Sequence, residues 1–489
     1  MIIYIKFKKI YKYKLTNLAQ LPENKYYLKS SISFFKKNFV KRINFIKDKN
    51  FLFNEVSNFL NNCIDNTKNI YFFCAGNSII SKNILSSKIY IKEINEKYEI
   101  KYNDNVIYKD DVSNEEIASC DTIIIADIEH QSNPTSNLLK LSKIINDDSK
   151  IIILSKNMVW MVLIKILKFF FNFSPLRNNF LPSSYLNNLF TSCNLEVVRN
   201  EKIIALPINI PFITNFINKL FRLPLLNLFC LTNVTILKKV NQDVAKKNNL
   251  DISFIIPCKN EANNIKLFEK EISLFNKNYE YLFGDDKSTD NTSLEIDKLK
   301  KNLNENKIIK YEGPGVCKSE NVYKGIESAS GEIIVIYDAD LTVSFEDIEF
   351  SLEILKRTNA DFINCTRMIY PQKEGAMKLF NFIGNSFFAS LFGILFKRKI
   401  TDTLCGTKIF YKKDWQKIKK DVSKWGAKDL WGDFDLLIGA YKNNLKIIEV
   451  PVTYFERKEN ETKMNSLFLN ALRMLFIVLS SYYKLRLEK

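Results

Sequence analysis

Short apolar runs alternate with segments of helical period along most of this chain. From about residue 68, "NIYFFCA", "CDTIIIADI" and "SKIIILS" are unbroken β-branched and aromatic runs, which predict buried strands. "NPTSNLLKLSKIIND", between the last two, predicts a helix, and strand–helix–strand in that rhythm predicts a parallel sheet. "KKVNQDVAKKNNLD" is polar and aperiodic and predicts a linker. Beyond it the alternation restarts more cleanly. "DISFIIP", "YEYLFGDD", "NKIIKYEG" and "EIIVIYDAD" predict four strands, with "NNIKLFEKEISLF", "NTSLEIDKLKKNL" and "KSENVYKGIESA" as three crossover helices. The pattern predicts an α/β chain of two units, residues 68–240 and 251–465, joined by a linker at 241–250. A basic, aromatic segment, 1–67, precedes them, and an amphipathic helix, 466–489, follows.

An open doubly wound sheet binds ligands outside the carboxyl ends of its strands. Those ends carry the polar chemistry of the second unit. The first ends at Pro257, with Asn260 and Glu261 at the turn into the next helix. The second ends at Asp285 and Asp286, with Ser288, Thr289 or Asp290 available to cap the helix that follows. The fourth ends at "DAD", Asp338 and Asp340, and in extended chain these two carboxylates face one side. Two acids aimed at one point repel each other unless a cation lies between them. Mg²⁺ or Mn²⁺, hard ions with oxygen ligands that share coordination with substrate phosphates, fit that pair.

Composition narrows the class. The 489 residues carry a formal net charge of +18, but lysines are scattered rather than blocked. Without a recognition motif such a charge points to an anionic membrane surface and not to nucleic acid. Nine cysteines, odd in number, widely spaced and without a CxxC pair, exclude a disulfide framework and a zinc site and suit a reducing cytoplasm. A single histidine, His130, excludes chemistry built on several. The opening "MIIYIKFKKIYKYK" does not read as a signal peptide. "MVWMVLIKILKFFFNF" (158–173) and "LFLNALRMLFIVLSSYY" (467–483) come nearest to membrane spans, but Lys165, Lys168 and Arg473 interrupt them, so both read as amphipathic helices. The expected location is cytoplasmic, peripheral on the inner face of the cell membrane.

"FIIPCKNEANNI", "DDKSTDNT" and "GIESASGEIIVIYDADLT", taken in order, resemble the family-2 glycosyltransferases of the GT-A fold. "NCTRMIYP", "ITDTLCGTKIFYKKDW" and "WGDFDLLIGAYKNNLKIIEVPVTYFERKENETKM" resemble the branch containing dolichyl- and polyprenyl-phosphate sugar transferases. The resemblance implies a nucleotide-diphospho-sugar donor, with a lipid-phosphate or glycan acceptor. It implies that Pro257, Asn260, Glu261, Asp285 and Asp286 hold the nucleotide, and that Asp338 and Asp340 hold the metal and diphosphate. Arg367 falls beside the donor phosphates, while Arg457 and Lys463 form a basic pair that meets phosphate. Asp402, Cys405 and Gly406 fall on the acceptor wall, with Asp433 and Asp435 nearby. One of the last two is the general base if the acceptor is a hydroxyl, and a lipid phosphate needs none. Read as residues alone, Asp433 and Asp435 equally suit the N-terminus of a helix.

Residues 68–240 resemble a class I S-adenosylmethionine methyltransferase domain, through "DTIIIADIEHQSNPTSNLLKLSKIINDDSKIIILSKN" and "FLPSSYLNNLFTSCNLEVVRNEKIIALP". The resemblance implies a cofactor turn at Gly76 and a ribose-binding acid at Glu93. "FFCAGNSII" holds one glycine where the family has several, so a degenerate domain is expected. The expected function is inverting, metal-dependent glycosyl transfer. The alternatives are a bifunctional methyltransferase and glycosyltransferase, or a non-catalytic scaffold.

Overall fold

A computed structural model describes residues 50–64, 68–74, 78–93, 105–109, 112–126, 128–130, 134–160, 181–206, 210, 212–224, 226–240, 250–275, 279–303, 307–370, 379–456 and 467–487. Gly76, Arg457, Lys463 and most of the helix expected at 158–173 lie outside these residues.

The N-terminal lobe is built on seven strands: β1 (Asn69–Cys74), β2 (Lys88–Glu93), β3 (Val106–Tyr108), β4 (Thr122–Ala126), β5 (Lys150–Lys156), β6 (Leu195–Ile203) and β7 (Thr232–Lys239). Their order is β3-β2-β1-β4-β5-β7-β6. The first five are mutually parallel, and β7 runs antiparallel to both β5 and β6. The helix Pro134–Ile144 makes the crossover from β4 to β5 that their parallel pairing requires. Unbroken apolar strands need cover on both faces. The helix Asn50–Asn61 supplies some of it, burying Phe53, Val56 and Leu60 against Ile70, Phe72 and Ile124.

The C-terminal lobe has seven further strands: β8 (Ile252–Cys258), β9 (Glu280–Asp285), β10 (Ile308–Glu312), β11 (Ile333–Ile336), β12 (Phe362–Thr366), β13 (Lys408–Tyr411) and β14 (Ile447–Pro451). The order is β10-β9-β8-β11-β13-β12-β14. The four expected strands and three crossover helices are present, but the sheet is larger and mixed. β13 runs antiparallel to β11 and β12, while β12 and β14 are parallel. The reversal matters for function, because it brings the start of β13 to the edge where the other strands end.

Aromatic side chains fill both faces of this sheet. Phe254 stacks on Phe345 at 5.6 Å on one face, and Phe362 on Phe410 at 5.4 Å on the other. Each such ring removed from water stabilises the fold by about 1.5–3 kcal/mol. The lobes meet through buried polar contacts. Lys238 Nζ lies 2.5 Å from Asp361 Oδ1, Arg199 Nη1 donates to Asn444 Oδ1 at 2.9 Å, and Asn359 Nδ2 donates to the Lys239 carbonyl at 2.8 Å.

Candidate active site

The carboxyl edge of the second sheet gathers the polar residues. Beyond β8, Asn260 takes a left-handed φ of 53° and docks onto the β9 loop. Its backbone N–H donates to Ser288 Oγ at 2.9 Å, and its side-chain oxygen accepts from Thr289 N at 2.8 Å. Glu261 N donates to Thr292 Oγ1 at 2.7 Å, while Asn264 Nδ2 donates to its carboxylate at 2.6 Å. Beyond β9, Asp285 accepts from Ser288 N at 3.0 Å. Buried Asp286 accepts from Gly315 N at 2.6 Å, with Lys259 Nζ 3.6 Å away. None of the three caps considered holds the N-cap of helix Thr292–Asn302: that residue is Asn291, which makes no side-chain cap bond, and Asp290 just before it accepts from Thr292 N at 2.9 Å.

The strand at "DAD" stops earlier than expected. β11 ends at Ile336, and Asp338 and Asp340 occupy a turn in which Leu341 has a φ of 54°. Strand alternation therefore does not govern where these carboxylates point, which corrects the extended-chain reading. Lys318 Nζ, at the start of helix Lys318–Ser328, lies 2.5 Å from Asp338 Oδ1. Burial alone would lower the Lys318 pKa, but Asp338 and Asp433 outweigh it and hold the ammonium well above its usual range. Asp340 Oδ1 accepts from Thr342 Oγ1 at 2.9 Å. Gly406, just before β13, passes so close that a Cβ there would collide with Asp338 Oδ2 and Lys318 Nζ.

Asp433 and Asp435 open the helix Asp433–Lys442, behind Gly432 at a φ of 90°. They do not cap it. Asp429 caps it, accepting from Phe434 N at 2.8 Å and Asp435 N at 3.0 Å. Burial pushes Asp433 up to about 6, against the pull of Lys408, 3.6 Å away, and of Lys318. Burial, then the nearby Asp429, pushes Asp435 up to about 7, while Tyr323 OH donates to it at 3.0 Å. Asp433 thus shares the Lys318–Asp338 cluster, and Asp435 faces Tyr323 and Ser423 N.

Arg367, beyond β12, grips Asp402 with both arms. Nε lies 2.8 Å from Oδ2 and Nη2 3.0 Å from Oδ1, and Arg367 N adds a third bond of 3.0 Å. Asp402 also accepts from Asn385 Nδ2 at 2.7 Å. Burial opposes its ionisation, but Arg367 holds the carboxyl far below the usual carboxylate range. The expected donor-side arginine and acceptor-side acid are therefore each other's partners at this edge. Cys405 is buried beside them, and burial pushes its thiol up to about 11. Glu93 ends β2 in register with Cys74 of β1, in the other lobe and apart from this cluster.

Sequence reading passed over Lys318, Lys408, Asp429 and Tyr323. The signal for Lys318 was present, because a helix beginning at the carboxyl edge of a parallel sheet presents its first residue there.

Among the described residues no group of three or more His, Cys, Asp or Glu could by itself hold a metal. The donor set at the edge is Asp338 and Asp340. Two carboxylates, with water and phosphate oxygens completing the shell, suit Mg²⁺ or Mn²⁺, which dehydrate reluctantly and share ligation with substrate. The residues present fit such an ion.

Residues 253–418 match the profile of glycosyl transferase family 2. The low-salt glycan biosynthesis hexosyltransferase Agl6 of Haloferax volcanii is 26% identical over 141 residues, 29% of this chain and 33% of the relative, so the chain spans about a third of that protein's length. Glucosyl-3-phosphoglycerate synthase from Mycobacterium tuberculosis, in complex with Mn²⁺, UDP and glucosyl-3-phosphoglycerate, is 16% identical with a TM-score of 0.36, covering 50% of this chain and 82% of its own. Mannosyl-3-phosphoglycerate synthase from Rubrobacter xylanophilus is 14% identical with a TM-score of 0.37, covering 49% and 75%. Likeness that distant carries no ligand across. The sheet edge described above lies within, and just beyond, the matched segment: residues 253–418 form a glycosyl transferase family 2 domain.

Proposed function

We propose that the chain transfers a sugar from a nucleotide-diphospho sugar to a polyprenyl phosphate or a cell-surface glycan. One observation supports this reading above the rest: Glu261, Asp285, Asp286, Asp338, Asp340, Lys318 and Asp433 share one edge of a sheet whose core is a glycosyl transferase family 2 domain. Asp285, Asp286 and Glu261 bind base and ribose, as acceptors for their N–H and O–H groups. Mg²⁺ or Mn²⁺, held by Asp338 and Asp340, would offset the charge of the departing diphosphate. Lys318 adds a fixed positive charge at the same place. An acceptor oxygen attacks the anomeric carbon, the bond from that carbon to the diphosphate oxygen breaks, and configuration inverts. With a hydroxyl acceptor, Asp433 takes the proton. With a lipid phosphate, the nucleophile is already an anion. Arg367 stands beside the donor phosphates, tethered by Asp402; Asp402, Cys405 and Gly406 shape the wall on the acceptor side, and Arg457 and Lys463 meet phosphate.

A membrane-surface location has its own support. The helices Leu379–Phe396 and Leu467–Tyr482 pack together and leave Phe380, Ile383, Phe468, Leu472 and Phe476 exposed. None of the described helices is long and apolar enough to cross a membrane. Such a face, on a chain of net charge +18, suits the interface of an anionic bilayer. For the N-terminal lobe, a sheet of five parallel strands extended by antiparallel β7, with Glu93 beside the end of β1, supports a methyltransferase-like domain. The single Gly76 of its cofactor turn favours a degenerate one over S-adenosylmethionine chemistry.

The test is transfer of labelled sugar from UDP-, GDP- and CDP-sugars, with Mg²⁺ or Mn²⁺, to polyprenyl phosphate and to oligosaccharide acceptors. Metal-dependent product, lost in Asp340→Ala, is expected. Transfer undiminished in that variant would overturn the assignment.

A further inference from the structure

A cavity of about 730 Å³ lies between the two lobes and shares no residue with the carboxylate cluster. Its volume is that of a site for a nucleotide or sugar phosphate. Eight cationic side chains line it against three acids, Glu55, Glu201 and Asp421. Two of the acids are already engaged at its wall, Glu55 near Arg222 at 3.9 Å and Asp421 with Lys442 at 2.6 Å.

Glu201 faces three cations at once. Arg199 Nε lies 3.0 Å from Oε1, Lys397 Nζ lies 2.7 Å from Oε2, and Arg486 Nη1 contacts Oε1. Arg199, Glu201 and Arg486 are all buried. A buried charge is tolerated when paired, and one carboxylate leaves this group with an excess of positive charge. The strain registers in the titrating groups. Burial, followed by repulsion from Arg199 and Arg222, pulls Lys397 down to about 8. Burial and then Arg199 pull Arg486 well below its usual range. Lys202, on the same wall, is lowered by burial and then by Lys397. Among the described residues Arg486 Nε and Trp425 Nε1 find no hydrogen-bond partner. Phe59 and Trp425 add apolar surface beside the cations.

We propose that this inter-lobe cavity is a binding site for a small polyanion bearing phosphate groups, separate from the site at the sheet edge. Phosphate oxygens would supply the negative charge that Glu201 alone does not, and the aromatic wall would receive the organic part of such a ligand. Because residues of both lobes line the cavity, occupancy would fasten one lobe to the other. The cavity keeps this charge whether or not the sheet edge transfers a sugar.

The test is calorimetric titration of the full chain with inorganic pyrophosphate, in EDTA so that no metal bridges the probe to Asp338 and Asp340. Saturable binding is expected in the wild type and, at the same affinity, in Asp338→Asn/Asp340→Asn. Lys202→Gln/Lys397→Gln is expected to bind at least tenfold more weakly. If that variant fails to fold, Lys424→Glu/Lys484→Glu, also on the cavity wall, is expected to weaken binding at least threefold. Absence of saturable binding, binding lost only in the Asp338/Asp340 variant, or unchanged affinity in a folded cavity variant would overturn the proposal.

Discussion

The acids at the sheet edge are set apart by what surrounds each of them. Asp433 is buried and pushed up to about 6, beside Lys408 and near Lys318 and Asp338. A base must be ionised to act, so with a hydroxyl acceptor kcat/KM is expected to rise with pH with a midpoint near 6. Asp433→Asn is expected to lower it by about 10²- to 10⁴-fold, and a flat profile for a hydroxyl acceptor would contradict that role. Asp435 serves stability differently. Its folded pKa, about 7, exceeds that of the unfolded chain, so the folded state holds the proton longer. The stability this gives is full below about pH 4 and is lost as pH rises through 7. Asp435→Asn removes that dependence. Urea unfolding is expected to show the variant gaining on the wild type between pH 5 and pH 8, on the order of 2 kcal/mol. Gly406→Ala forces a methyl into Asp338 and Lys318, and transfer is expected to fall by about 10²-fold with folding retained. These distinctions were out of reach of the sequence. Asp433 and Asp435 read there as two similar acids and Asp429 drew no notice, and only burial and hydrogen bonding tell the cap from the candidate base.

At the scale of elements, apolar runs that form one continuous strand were plain in the sequence. β8, β9 and β10 and the crossover helices stand where the periodicity puts them, and β11 starts there but stops at Ile336. β12, β13 and β14 were hidden in stretches legible only as motifs. β13 is four residues long and begins with a lysine, Lys408, that is wholly buried through its contacts with the Cys405 carbonyl and Asp433. Such a strand carries no alternation to read. The C-terminal helix was legible, but its outward face is apolar where an amphipathic period would make it polar. Met474, Ile477 and Val478 are buried, while Phe468, Leu472 and Phe476 are exposed. If this face rests on a bilayer, co-sedimentation with phosphatidylglycerol vesicles is expected to fall at least tenfold in Phe468→Ser/Leu472→Ser/Phe476→Ser. Equal sedimentation of variant and wild type would contradict that placement.

At the scale of the molecule, buried polar and charged contacts among the described residues join the two sheets. Lys238 and Asp361, one from each lobe, are both buried at 2.5 Å. Removing one partner strands the other, so Asp361→Ala is expected to cost about 3–5 kcal/mol in urea unfolding. The sequence predicts two units and a linker, whose residues 241–249 lie outside the described ones, and contacts between residues more than a hundred positions apart leave no local pattern to find. The central claim concerns the second lobe, and ligand-dependent thermal unfolding tests it most directly. UDP, GDP and CDP are each added with and without Mn²⁺ to the wild type and to Asp340→Ala. A ligand at a hundred times its dissociation constant stabilises the folded chain by about 2.7 kcal/mol, a readily measured shift. One nucleotide diphosphate is expected to raise the melting temperature when Mn²⁺ is present, with the shift abolished in Asp340→Ala. No shift with any of the three, or the same shift in both proteins, would contradict a nucleotide-sugar site built on Asp338 and Asp340.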